Sequence, residues 1–189
     1  MSKRTLPDWV DGYMEFTENT EPPVGFRRWV ALSTLASVME RKCVLNWGTE
    51  VFYPNMFIVL VGPPAARKGT AMRVGKSFLD ALGIPAASDE SSRQKLIKSL
   101  QESAAVDQTE TGDMIHHSSM TIHSSELTVF LGYGSREMLS MLCKWYDCEN
   151  RYIYDTHARG KEEVPNVWVH LLGATTPGQL RASLPEDAV

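Results

Sequence analysis

The densest chemistry in the chain lies in GPPAARKGT, residues 62–70, directly after the apolar run MFIVLV. A glycine followed six residues later by a lysine is the spacing of a phosphate-binding loop, in which consecutive backbone N–H groups turn toward phosphate oxygens. Gly62 opens the loop, Pro63 and Pro64 stiffen it, and Ala65 and Ala66 are small enough for phosphates to approach. Lys68 stands where a side-chain ammonium reaches the β- and γ-phosphates. Two positions depart from the usual G-x-x-x-x-G-K-[ST]: Arg67 replaces the second glycine, and Gly69 moves the hydroxyl one place on, to Thr70. Thr70 is still placed to contact a phosphate or a water on Mg²⁺. The same residues also fit a plain strand-to-helix turn that happens to hold a lysine.

The neighbours of the loop favour the phosphate reading. MFIVLV, apolar throughout, predicts a strand buried on both faces of a parallel sheet. TAMRVGKSFLDALG predicts a helix that ends at Gly83, ahead of Pro85. Hydrolysis of a bound triphosphate needs an acid to orient water, and oxygen ligands for Mg²⁺. In additional-strand P-loop ATPases a second strand ends in Asp-Glu; here SMTIHSSE ends in Ser125 and Glu126. Glu126 is the candidate general base, and Ser125 offers a hydroxyl toward the Mg²⁺ shell. Glu126 also fits an ordinary helix-starting acid after two cap-competent serines. A third strand, WVHLLGATTP, has Gly173 for close approach and ends in Thr175 and Thr176, candidates for contact with the γ-phosphate.

Further elements must position these residues. Residues 7–21 and 25–42 read as amphipathic helices, the second with Phe26, Trp29, Val30, Leu32, Leu35, Ala36 and Val38 as a wide buried face. CVLNWGTEVFYPN reads as a hairpin. Residues 90–104 and 137–149 read as helices, 105–117 as a polar loop, RYIYDTH as a strand, and PGQLRASL as a helix with Pro177 in its first turn. Alternating strands and helices define an α/β fold with a mostly parallel sheet.

Composition narrows the function classes. The 189 residues are 43% hydrophobic and 22% charged, ordinary for a globular chain. A net charge of −4 gives no global field to attract nucleic acid. Three scattered cysteines, Cys43, Cys143 and Cys148, make no disulfide framework or metal set and are expected as reduced thiols. MSKRTLPDW has no apolar secretion-signal core, and no run approaches the ~20 apolar residues of a membrane helix. His116 and His117 fall in the polar loop and are expected to be solvated; His123 and His170 fall in strands and are expected as core or edge residues. Arg27-Arg28 and Arg41-Lys42 are expected on a solvated helix face, or as a contact for DNA or another subunit.

The phrases EPPVGFRRWVALSTLASVMERK, YPNMFIVLVGPPAARKGTA, SSELTVFLG, MLCKWYD and LLGATTPGQL together resemble phage- and mobile-element-encoded P-loop ATPases of the primase-helicase type. The resemblance runs over about residues 8–184, and Y-P-N, an apolar strand and G-P-P-x-x-x-K-G-T are its most specific part. It implies a RecA/AAA+-like P-loop NTPase core over 51–189, after a small helical segment with a hairpin over 1–50. It implies ATP and Mg²⁺ as ligands, with Gly62 to Thr70 on the triphosphate, Lys68 at its β/γ end, Glu126 in hydrolysis and Thr175 or Thr176 as γ-phosphate sensor. It also implies single-stranded DNA as a partner, a hexamer at full length, a bacterial host cytoplasm, and further strands and an arginine finger beyond residue 189. Two other functions suit the same residues. Ser125 in place of the acid suits a nucleotide-binding assembly module that does not hydrolyse. K-G-T also marks small-molecule nucleotide kinases, although Arg136, Arg151, Arg159 and Arg181 are too scattered for their arginine-rich lid.

Overall fold

The chain starts with two helices, α1 (Trp9–Phe16) and α2 (Val24–Met39), a 3-10 turn at Glu40–Lys42, and a hairpin of β1 (Leu45–Trp47) and β2 (Glu50–Phe52). The computed structural model describes residues 6–84, 86–87, 92–108, 112–132, 135–156 and 160–183. The sheet strands and their crossovers follow: β3 (Phe57–Val61), α3 (Lys68–Leu82), β4 (Ala86–Ala87), α4 (Arg93–Glu102), β5 (Ala104–Gln108) and β6 (Met114–Ser124). After them come α5 (Leu127–Leu131), α6 (Arg136–Tyr146), a hairpin of β7 (Arg151–Thr156) and β8 (Gly160–Pro165), β9 (Val167–Thr175) and α7 (Pro177–Ser183).

The central sheet has five strands in the order β3-β9-β6-β4, with β5 beside β6. β3, β9, β6 and β4 run parallel, and β5 alone is antiparallel. The architecture is thus α/β with a mixed, mostly parallel sheet between helices. β9 is inserted between β3 and β6, and all nine of its residues are buried. Its Val167, Val169 and Leu171 join Met120, Ile122 and residues of α4, α5 and α6 in one apolar cluster. Leu172 and Ala174 join Ile58, Leu60, Val30, Ala71 and Met72 in a second. Helices therefore cover both faces of the sheet, as parallel strands require.

Close packing of α2 on α3 decides which residues α2 buries. Its buried positions are Arg27, Val30, Ala31, Ser33, Thr34, Ala36 and Ser37, while Trp29 and Leu35 are exposed. Of the apolar face expected from the sequence, Val30 and Ala36 are buried and Phe26, Leu32 and Val38 half-buried, and the buried stripe takes in Arg27, Ser33, Thr34 and Ser37 instead of Trp29 and Leu35. Small side chains let the helix axes approach, and Thr34 and Ser37 satisfy their hydroxyls on the carbonyls of Val30 and Ser33 at 2.9 Å each. Gly75 of α3 is the closest point: a Cβ there would lie 2.5 Å from Val30 Cγ1 and 2.8 Å from Thr34 Oγ1. Overpacking a core costs about 1–3 kcal/mol, against about 0.5–1 kcal/mol gained by alanine over glycine in a helix. Gly75→Ala is accordingly expected to destabilise the fold by about 1–2 kcal/mol, read as a lower urea midpoint at unchanged slope. A midpoint at or above wild type would show that α2 yields freely.

Four other sequence expectations are corrected. β3 is an edge strand, with Val59 and Val61 more than a third exposed; the strand buried on both faces is β9. Much of the expected polar loop at 105–117 is strand, because β5 and the start of β6 pair from Ala104↔Ser118 to Gln108↔Met114. His117 is buried there, hydrogen-bonded to Ser119 Oγ and Asp107 Oδ2 at 2.7 Å each. Arg27 and Arg41 are buried ties, not solvated cations. Arg27 donates to the Thr17 carbonyl at 2.9 Å, and Arg41 donates to the carbonyls of Cys148 and Val167 at 2.8 and 2.7 Å. The cysteines are free, and burial pushes the Cys148 thiol up to about 11.

Candidate functional site

Register sets the site. Val61, the last residue of β3, pairs with Thr175, the last of β9, and the Gly62 N–H donates to the Thr175 carbonyl at 3.3 Å. On the other side of β9, Gly173 pairs with Ser124, the last residue of β6, and Glu126 follows two residues after that strand end. The intervening strand separates the loop from the acid by two strand spacings, roughly 10 Å. A cleft of about 760 Å³ occupies that gap.

The cleft is lined by Pro64 to Thr70 from the loop, Ser125 and Glu126 from the end of β6, and Thr175 and Thr176 from the end of β9. Every residue expected to do chemistry therefore reaches one cavity. Gly62 and Pro63 do not line it, but their carbonyls accept from Lys68 Nζ at 2.7 and 2.8 Å, so the lysine lies folded back across the loop. A Cβ at Gly62 would come within 3.2 Å of Phe26 Cζ, so a glycine fits the packing there. α3 begins at Lys68 with no side-chain cap, and the N–H groups of its first turn have no partner within the helix. Uncapped donors and the positive end of a 15-residue helix are features that suit an anion.

Arg67 meets the geometric demand that glycine usually meets. It adopts φ 61° and ψ 22°, and Ala65 adopts φ 62°. Left-handed backbone costs a residue with a Cβ roughly 1–2 kcal/mol. Arg67 Nε also pairs with Glu21 Oε2 at 2.6 Å, but both side chains are exposed and the pair adds little. Arg67→Gly is thus expected to stabilise the fold by up to about 1 kcal/mol. A loss of stability in thermal melts would mean that the Glu21 pair outweighs the strain.

Glu126 begins α5, and its carbonyl accepts from the N–H groups of Val129 and Phe130, yet its side chain makes no cap bond. The carboxylate instead faces the cleft with no hydrogen bond or ion pair among the described residues. The two threonines differ. Thr176 and Gln179 form a reciprocal capping box at the start of α7: the Gln179 N–H donates to Thr176 Oγ1 at 3.3 Å, and Thr176 N–H and Oγ1 donate to Gln179 Oε1 at 3.4 and 3.0 Å. Among the described residues the Thr175 hydroxyl makes only a 3.4 Å contact, to the Thr176 carbonyl, and is the freer of the two.

Two further lining residues, Arg73 and Gln179, escaped the sequence reading. Both had a signal. Arg73 is one helical turn beyond Thr70, hence on the same face, and T-x-x-Q at 176–179 is a capping-box pattern.

Two other polar clusters are closed. Glu40, Asp107 and His117 place possible metal ligands within 4.8 Å of one another. Lys42 already supplies the cation, with Nζ 2.8 Å from Glu40 and 3.5 Å from Asp107. The hydrogen bond from His117, with Lys42 nearby, holds the Asp107 carboxyl below its ordinary value. Ser33 and His170 lie 2.7 Å apart in the core, but His170 Nδ1 accepts from the Met56 N–H at 3.1 Å. The neutral ring therefore carries its proton on Nε2 and donates it to Ser33, the reverse of what an activated nucleophile needs. Among the described residues no helix is long and apolar enough to cross a membrane. Compared with known proteins, the sequence matches no family model and no curated protein.

Proposed function

We propose that this chain is a P-loop ATPase of the helicase-like kind, which binds ATP on Gly62–Thr70 and hydrolyses it in the DNA replication of a phage or mobile element. The convergence of Lys68, Glu126 and Thr175 on one cleft, from three adjacent parallel strand ends, carries the ATPase reading. The replication setting rests on the sequence resemblance alone, as do single-stranded DNA, the hexamer and the bacterial cytoplasm.

In this reading the loop and α3 N–H groups hold the phosphates, and Lys68 leaves the carbonyls of Gly62 and Pro63 for the β/γ oxygens. Glu126 takes the proton of the water that adds to the γ-phosphorus as the bond to the bridging β–γ oxygen breaks. Thr175 donates to the γ-phosphate. Two hydroxyls, Thr70 and Ser125, are oxygen donors of the kind that suits Mg²⁺. When bound, the ion neutralises charge that develops on the phosphates.

Ser125 supports a second reading, a nucleotide-binding module without turnover, since Glu126 is the only carboxylate lining the cleft among the described residues. Phosphate release from ATP, measured with and without single-stranded DNA, separates the two. Turnover supports the ATPase, tight binding without turnover supports the module, and absence of ATP binding sinks both.

A further inference from the structure

Beside the main cleft lies a smaller hollow of about 280 Å³, lined by Gly69, Met72, Arg73, Lys76, His123 and Ser125. The four α3 residues are spaced as one helical stripe, facing the end of β6. Gly69, Arg73 and Ser125 border both cavities, so the hollow adjoins the cleft along α3. Its lining has two cations, an imidazole and a hydroxyl, and no carboxylate.

Arg73 makes no hydrogen bond or ion pair among the described residues. Lys76 is tied to Asp80, one turn on and outside the hollow, at 2.8 Å. Like charges one turn apart on a helix repel by roughly 0.2–0.5 kcal/mol. Asp80 offsets the Lys76 charge from outside the hollow, which leaves Arg73 as the cation in the lining with no partner among the described residues. A guanidinium fork suits two oxygens of one phosphate, and an ammonium adds a point charge. At about 30 Å³ per water in the liquid, the hollow has room for a phosphate and part of whatever carries it.

We propose that Arg73, Lys76 and His123 form a second anion site that holds a phosphate group while the main cleft is occupied. The protein then takes two phosphate-bearing ligands side by side, in cavities that share Gly69, Arg73 and Ser125. The word second rests on the triphosphate reading of the main cleft; the hollow's own affinity for phosphate does not.

The test is an amide-resolved NMR titration of the full chain at constant ionic strength. The probes are inorganic phosphate, AMP and a single-stranded thymidine oligomer. The variants are Lys68→Ala and the double substitution Arg73→Gln/Lys76→Gln, which changes exposed side chains only. Saturable shifts are expected at Gly69, Arg73, Lys76 and Ser125. They should survive Lys68→Ala and weaken at least tenfold in the double variant. The probe that binds most tightly identifies the source of the phosphate: the free ion, a nucleotide or a nucleic-acid backbone. Shifts confined to residues 62–70 and abolished by Lys68→Ala alone would overturn the proposal, as would shifts that never saturate with any probe. ATP titrated into the same samples keeps the two inferences apart, because a chain that binds phosphate at the hollow but no ATP would overturn only the ATPase reading.

Discussion

Glu126→Gln is expected to leave ATP affinity within about threefold of wild type and to lower turnover by about 10²–10³-fold, the usual contribution of a positioned general base. The substitution keeps the shape and removes the charge. Its structural effect should be small, because the carboxylate makes no hydrogen bond or ion pair among the described residues and does not cap α5. Equal urea midpoints for the two proteins would confirm that. Single-turnover kinetics with saturating ATP then isolate the chemical step. Turnover within threefold of wild type would remove Glu126 from the chemistry.

The second large effect concerns acid stability. Burial, and after it the nearby His123, pushes the His170 imidazole down to about 3 from its ordinary 6.5. The folded protein therefore keeps this ring neutral where the unfolded chain takes up a proton. The stability linked to His170 is fully present above about pH 6.5 and drains away as pH falls toward 3, by about 1.4 kcal/mol per unit within that window. Above pH 6.5 this group contributes no dependence. Urea unfolding at pH 7, 6, 5 and 4 should show the decline, and His170→Gln, which keeps a donor toward Ser33, should show a shallower one. If that variant fails to fold, the ring resonances of the wild type serve instead. A His170 ring that titrates near pH 6.5 in the folded protein would contradict the account.

What could be read from the sequence depended on whether a signal was local. The Gly62–Thr70 loop, the helix that ends on Gly83 in left-handed conformation, and the strand that ends in Thr175 each rest on neighbouring residues, and each lies where the pattern put it. Partner-dependent features were not legible. β5 is the short polar run AAVDQ, and only its ladder with β6 makes it a strand. The burial of Arg27, Arg41 and His117 follows from carbonyls and a carboxylate that distant segments bring to them. The small-residue face of α2 follows from how closely Gly75 lets α3 approach. In the site, the loop, Glu126 and the threonines were legible because each lies at or within two residues of a strand end. Arg73 was not, because mid-helix arginines are ordinarily solvated.

The most direct test of the central claim is calorimetric titration of ATP·Mg²⁺ into this chain and into Lys68→Ala. The account predicts saturable binding to the wild type and a loss of at least about 100-fold in the variant, the worth of two charge-assisted contacts at about 1.5–3 kcal/mol each. Equal affinity in the two proteins, or no binding to either, would contradict it.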